Sequence, residues 1–217
     1  MHTKNISVGG GKTKKWAATA KASTRENITL LDVIRGRLEL ADNTSEVKKI
    51  LQKGLVQVDG KTVKEANLGV GLMSVVSIPK IKKHYRILTS DKGLTVREIP
   101  SKEAELKLCR VNGKKTISGG KTQLSLHDGS TILYDKECAV NDTLVLQLPQ
   151  REVSKRIPLK AGAQVLVYWG RHSGTIGEIS EVIAGTQSRK SLSKVGGSQT
   201  LTDYVFVVGD KKPEITI

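Results

Sequence analysis

The chain has 217 residues, with 36 Lys and Arg against 21 Asp and Glu, and a formal net charge of +15. A surplus of that size repels itself until a polyanion neutralises it, which points to nucleic acid ahead of an anionic membrane surface. Two cysteines, Cys109 and Cys138, are too few for a four-thiolate metal site, and no stretch approaches the ~18 apolar residues of a membrane-spanning helix.

The apolar fraction is 37% and the aromatic fraction 3%. Both suit several small β-rich domains better than one large core. Twenty-one glycines against five prolines imply many tight turns. The N-terminus is basic but has no apolar run, so no secretion signal is expected and the cysteines are expected to be reduced. The protein is expected to be soluble and intracellular.

Residues 1–27 carry Lys4, Lys12, Lys14, Lys15, Lys21 and Arg25 against one acid, Glu26. Such a segment cannot bury enough apolar surface to offset the entropy of ordering, so a basic tail is expected. Trp16 beside Lys14 and Lys15 has two readings. Its ring stacks on a base while the lysines grip phosphates, or it packs on the domain that follows.

Residues 28–80 read as two helices and a hairpin. Thr29 with Asp32 three positions on is a capping-box-like start. Leu30, Leu31, Ile34, Leu38 and Ala41 then share one helical face. Asn43 and Glu46 open a second helix, whose apolar face is Val47, Ile50 and Leu51, and Gly54 stops it. Lys49 and Lys53, four apart, fall on one exposed face, and Arg35 and Arg37 lie off the first helix's apolar stripe. Val56, Val58 and Val63 around Asp59-Gly60 predict a tight hairpin, followed by a strand at Val75–Ile78 ended by Pro79.

Residues 81–160 hold 16 basic and 9 acidic residues, the largest share of the excess charge. Strands are predicted at Tyr85–Leu88, Leu94–Ile99, Gln123–Leu126, Thr131–Leu133 and Thr143–Leu148. Turns are predicted at Asp91-Lys92-Gly93, Asn112-Gly113 and Asp128-Gly129, and a short helix at Glu103–Leu108. In residues 161–217 the alternation of Val165, Val167, Ile176, Ile179, Val182 and Ile183, then Tyr204–Val208, suits a small five-stranded SH3-like barrel. Ser188–Ser198 reads as a mobile loop.

The sequence offers little for catalysis. Gly-Lys-Thr occurs at 11–13 and 120–122, but a phosphate-binding loop needs another glycine five positions earlier, where Ile6 and Lys115 stand. His2, His84, His127 and His172 form no metal-spaced pair. His127-Asp128 sits at a hairpin turn, and no nucleophile-elbow sequence is present.

Residues 28–80 resemble the alpha-L RNA-binding motif, the ribosomal S-four-type domain. The resemblance implies RNA-phosphate contacts by Arg35, Arg37, Lys48, Lys49, Lys53 and Lys61. Many members of that family have Ser-Arg at the start of the second helix; this chain has Thr44-Ser45-Glu46, and the acid weakens that contact. Gly162–Gly170 with Gly174 and Gly177 resembles a KOW motif, as in ribosomal proteins and NusG-type factors, and implies contacts from Arg171 and His172. The same glycines also permit a tight barrel turn.

Taken with Gly71–Pro79, Lys107-Leu108-Cys109, Gln123–Gly129, Asn141–Leu144 and Tyr204–Gly209, the series is similar to the archaeal and eukaryotic small-subunit ribosomal proteins of family four, e type. The length looks archaeal. The resemblance implies a non-enzymatic, cytoplasmic constituent of the small ribosomal subunit that binds its rRNA (16S-type) and takes part in translation. It also implies neighbouring small-subunit proteins as partners, with no membrane, small-molecule substrate, cofactor or metal. In the tail, Lys4, Lys12, Lys14, Lys15 and Trp16 are the expected RNA contacts.

The expected fold is α+β, mostly β. It comprises a tail (1–27), an alpha-L domain (28–80), a central β-rich domain (81–160) and a KOW barrel of SH3-like form (161–217). The rival readings are a KOW-containing transcription or translation factor and an accessory of an RNA-modification enzyme.

Overall fold

The computed structural model describes residues 20–21, 27–91 and 93–217. The tail residues Lys4, Lys12, Lys14, Lys15 and Trp16 lie outside these. Strands dominate the described residues, as the α+β, mostly β expectation requires. The chain forms two compact units. One runs to Lys107 and takes in Gln147–Arg151; the other comprises Leu108–Leu146 and Glu152–Ile217.

In the first unit, β1 (Asn27–Thr29) leads directly into α1 (Leu30–Asp32). The Thr29 hydroxyl accepts the Asp32 N–H at 3.1 Å, the helix start read from the sequence. The helix then widens into a π turn over Val33–Arg37, closed by the Leu38 N–H donating to the Val33 carbonyl at 2.9 Å. The regular helix predicted as far as Ala41 therefore ends early. Gly36 lies in this turn, and it adds little helical preference. A Cβ there would stand 2.9 Å from the Asp32 carboxylate, so only glycine lets that side chain lie over the turn.

The second helix, α2 (Thr44–Gln52), is closed by two reciprocal bonds. The Asn43 side chain accepts the Glu46 N–H at 3.0 Å, and the Glu46 carboxylate accepts the Asp42 N–H at 2.9 Å. Val47 and Leu51 are fully buried. Gly54 follows the C-cap at φ +68°, the left-handed position that ends the helix.

Next come β2 (Gln57–Val58) and β3 (Lys61–Thr62), joined by Asp59 and Gly60, both at positive φ, as a two-residue hairpin turn requires. β4 (Gly69–Gly71) pairs with β1. β5 (Val75–Ile78), β6 (Lys83–Ser90) and β7 (Gly93–Ile99) complete an antiparallel sheet of order β3-β2-β5-β6-β7. This one sheet runs across residue 80, where the sequence suggests a domain boundary.

Two buried cations hold this unit together. Lys107 is 1% exposed and its ammonium lies 2.6 Å from the Asp59 carboxylate, whose other oxygen accepts the Val75 N–H at 2.9 Å. Arg86 is fully buried in β6. Its guanidinium donates to the carbonyls of Glu103 at 2.8 Å and Leu106 at 2.7 Å. Those bonds explain why no helix forms over Glu103–Leu108: two of its carbonyls are turned towards Arg86. The segment is instead a 3-10 turn at Ser101–Glu103 followed by a strand. Burial, opposed by the Glu103 and Asp59 charges, lowers the Arg86 pKa to about 10.

The second unit contains most of β8 (Leu106–Thr116), β9 (Thr122–Leu126), β10 (Thr131–Leu133), β11 (Thr143–Gln147) and β12 (Glu152–Ile157), in the order β10-β9-β8-β11-β12. Asn112-Gly113 is not the turn predicted. It lies inside β8 at an irregularity in register, and neither residue has a positive φ. The Asn112 carboxamide oxygen is taken by the Arg110 guanidinium at 2.8 Å, so it is not available to stabilise a turn. Cys109, Val111, Leu124, Leu126, Cys138, Leu144 and Leu146 form the core. Both thiols are free and buried.

A second five-stranded sheet has the order β16-β15-β14-β13-β17, from β13 (Gln164–Val167), β14 (Ile176–Ile183), β15 (Leu192–Val195), β16 (Ser198–Leu201) and β17 (Val205–Gly209). The Ser188–Ser198 stretch is therefore only partly loop. Ser193, fully buried, shares a hydrogen bond with the Thr202 hydroxyl at 3.0 Å, so a polar residue occupies a core-facing position. That substitution hides the strand from a hydrophobic pattern.

Candidate nucleic-acid interface

The first unit gathers its cations around α2. Its buried stripe, Val47 and Leu51, turns Lys48, Lys49 and Lys53 to solvent. Lys61 is exposed on β3, and Lys64 is exposed just beyond it. Among the described residues, none of these five lysine ammonium groups has an ion-pair or hydrogen-bond partner. Arg35, exposed on the π turn, donates to the Thr44 hydroxyl at 3.3 Å. Arg37 differs, because its guanidinium lies 3.7 Å from the Asp32 carboxylate. Glu46, expected to oppose a phosphate contact, has its carboxylate folded back onto the Asp42 N–H and the Asn43 amide.

Between α2 and the loop after β3 lies an open cleft of about 540 Å³. Arg35 and Lys48 line it, with Thr44 and Gln52 on the same row of α2. The opposite wall is Lys64, Glu65, Ala66 and Asn67, and Leu31 contributes from α1. Backbone bonds fix this wall. The Leu31 N–H donates to the Ala66 carbonyl at 2.9 Å, and the Lys21 N–H to the Asn67 carbonyl at 2.8 Å. Glu65 is paired with Lys21 at 2.6 Å, and that partnership raises the Lys21 pKa. The sequence reading missed Lys64, Gln52 and Asn67. Lys64 was visible as a basic residue next to the hairpin, whereas only the fold brings Gln52 and Asn67 together.

In the second unit, the turn between β13 and β14 carries Arg171 and His172 in exposed positions. Gly170 and Gly174 have φ of +91° and +86°, so their role in the turn is conformational. Gly177 differs: a Cβ there would lie 3.1 Å from the Val195 side chain, which would have to give by a few tenths of an ångström. Trp169, 37% exposed beside Arg171, is a further aromatic surface that the sequence reading did not select. Behind the turn, the Arg110 guanidinium sits 5.1 Å from the Tyr168 ring centroid, and Tyr168 packs edge-on against Phe206.

No group of three or more metal-ligating side chains occurs among the described residues. His127 accepts the Arg110 N–H at 3.2 Å and packs edge-on against Phe206. Asp128 accepts the Ser130 N–H and hydroxyl at 3.0 and 2.6 Å, as a turn residue does. No helix of the described residues is long and apolar enough to cross a membrane.

Comparison with known proteins agrees with this geometry. The S4 domain model matches residues 30–76, the helices, the hairpin and the start of β5. The model of ribosomal family S4e matches residues 81–153. Small ribosomal subunit protein eS4 of Methanosphaera stadtmanae is 40% identical over 95% of this chain and 89% of its own length. The eS4 protein of Methanocella arvoryzae is 35% identical over 94% and 90%. The chain belongs to the eS4 family of small ribosomal subunit proteins. The crystal structure of 30S ribosomal protein S4e from Thermoplasma acidophilum superposes with a TM-score of 0.76 at 34% identity, covering 85% of this chain and 95% of that one. Membership in the eS4 family does not favour the two rival readings, a KOW-containing transcription or translation factor and an accessory of an RNA-modification enzyme.

Proposed function

We propose that this chain is a structural, non-enzymatic constituent of the small ribosomal subunit that binds small-subunit rRNA. The single observation that carries the reading is the set of solvent-facing lysines on α2 and beside the hairpin, on a domain of RNA-binding type. Cations without protein partners gain most from polyanion contact, because phosphate neutralisation releases condensed counterions. Arg35, Lys48, Lys49, Lys53 and Lys61 are the contacts of the first unit. Arg37 contributes less, since Asp32 competes for it. Arg171 and His172 serve the second unit from a turn of KOW type on an SH3-like barrel. Lys4, Lys12, Lys14, Lys15 and Trp16 extend the contact along the rRNA.

In functional terms the chain divides into a tail (1–27), an alpha-L domain (28–80), a central domain (81–160) and a KOW domain (161–217). Neighbouring small-subunit proteins are its protein partners, and its place is the cytoplasmic ribosome. The test is sedimentation of a native lysate through a high-salt gradient, with the chain followed by mass spectrometry. Retention in the small-subunit peak is expected. Migration at the top of the gradient, or together with RNA polymerase, would overturn the reading.

A further inference from the structure

We propose that the cleft between α2 and the Lys64–Asn67 wall is a pocket for one unstacked RNA nucleotide. The proposal rests on the RNA-binding reading above. At about 540 Å³ the cleft falls within the range of roughly 300–1,000 Å³ typical of small-ligand sites. Its chemistry is mixed in the way a nucleotide needs. Arg35, Lys48 and Lys64 supply positive charge for the phosphate. Leu31 and Ala66 give an apolar surface, and the planar guanidinium of Arg35 offers a stacking face.

The side-chain amides of Gln52 and Asn67 add donors and acceptors suited to a base edge. Among the described residues, neither amide has a hydrogen-bond partner. The wall around Asn67 is held through backbone groups, so its side chain is not spent on the fold. Glu65 would repel a phosphate, but Lys21 neutralises it at 2.6 Å. A bare phosphate run would use the cations and leave the amides and apolar surface idle. A paired base cannot enter a cleft of this kind, whereas a bulged or looped base can.

The experiment uses the full chain and two short RNA hairpins, one with a single bulged 2-aminopurine and one fully paired. Both are titrated at several salt concentrations. The bulged hairpin is expected to bind roughly tenfold more tightly, the equivalent of about 1.4 kcal/mol, with a change in 2-aminopurine fluorescence. The Gln52→Leu/Asn67→Leu double variant should bring the bulged hairpin down to the affinity and the salt slope of the paired one. Equal affinity of the unmodified chain for both hairpins would overturn the pocket, as would a preference that survives in the double variant. In both cases a steep salt slope would leave the RNA-binding reading standing. Absence of any salt-dependent binding to either hairpin would overturn both.

Discussion

Single side chains decide how firmly the first unit is held. Asp59 occupies a turn position that any short polar residue could fill, yet its carboxylate also meets Lys107 at 2.6 Å and the Val75 N–H at 2.9 Å. Replacing Asp59 with Ala removes the carboxylate facing a buried cation, and is expected to cost about 3 kcal/mol, read from urea unfolding. Asn43→Ala, which removes a helix cap and the amide that donates to Glu46, should cost about 1 kcal/mol by the same assay.

Cys138 gives a pH signature. Burial first, then the Asp142 carboxylate, pushes its thiol up to about 11, opposed by Arg156 and Lys114. The folded pKa exceeds the ordinary value of 9.0, so the associated stability is complete below pH 9 and is lost as pH rises through 11. Between pH 9 and 10, Cys138→Ala should flatten the decline in thermal midpoint. An equal decline in the variant would count against Cys138 as its source. The residue types were legible in the sequence; that Asp59, Lys107 and Arg86 share one buried network was not, because 48 positions separate the Asp59–Lys107 pair.

At the scale of elements, the clearest readings were those backed by two local signals at once. Asn43 with Glu46, and Gly54 ten residues beyond Thr44, mark both ends of α2, and the Asp59-Gly60 turn marks the hairpin. Caps and tight turns are satisfied within a few residues, so they leave local traces. The α1 widening, the Asn112-Gly113 irregularity and the β15 strand left none. Two are settled by nearby side chains that carry no turn or cap signature, the Asp32 carboxylate over Gly36 and the Arg110 guanidinium on Asn112, and β15 is settled by β14 and β16 on either side of it. The solvent face of α2 carries the functional prediction. Converting Lys49 and Lys53 together to Gln should lower the salt slope of rRNA binding by about 1.4–1.8, since each phosphate contact contributes about 0.7–0.9. An unchanged slope would mean that this row is merely solvated.

For the whole molecule, the chain order and the physical units differ. Gln147–Arg151, in the bend between β11 and β12, belongs to the unit built mainly from residues before Lys107. Leu148 joins Val75 and Ile99 in a small core, and a Cβ on Gly60 would stand 2.9 Å from Pro149. Leu148→Ala in the full chain is therefore expected to cost about 2–5 kcal/mol and to destabilise the unit that carries α2, although it lies far from α2 in sequence. Hydrogen exchange should show the added opening in β5 and β7.

The sequence by itself determined the basic character, the mostly β class, the positions of α2 and the hairpin, and a resemblance sufficient to name the family. All of these depend on composition or on residues close along the chain. Tertiary structure alone decided which cations are unpaired, that Arg37 is engaged by Asp32, and that Gln52 faces Asn67 across a cleft. It also decided that a bend at Leu148 completes the unit that carries α2. Even the Arg37–Asp32 pair, close along the chain, depends on which side chains fold within reach, and burial and charge pairing depend on who the neighbours are, which local pattern does not encode.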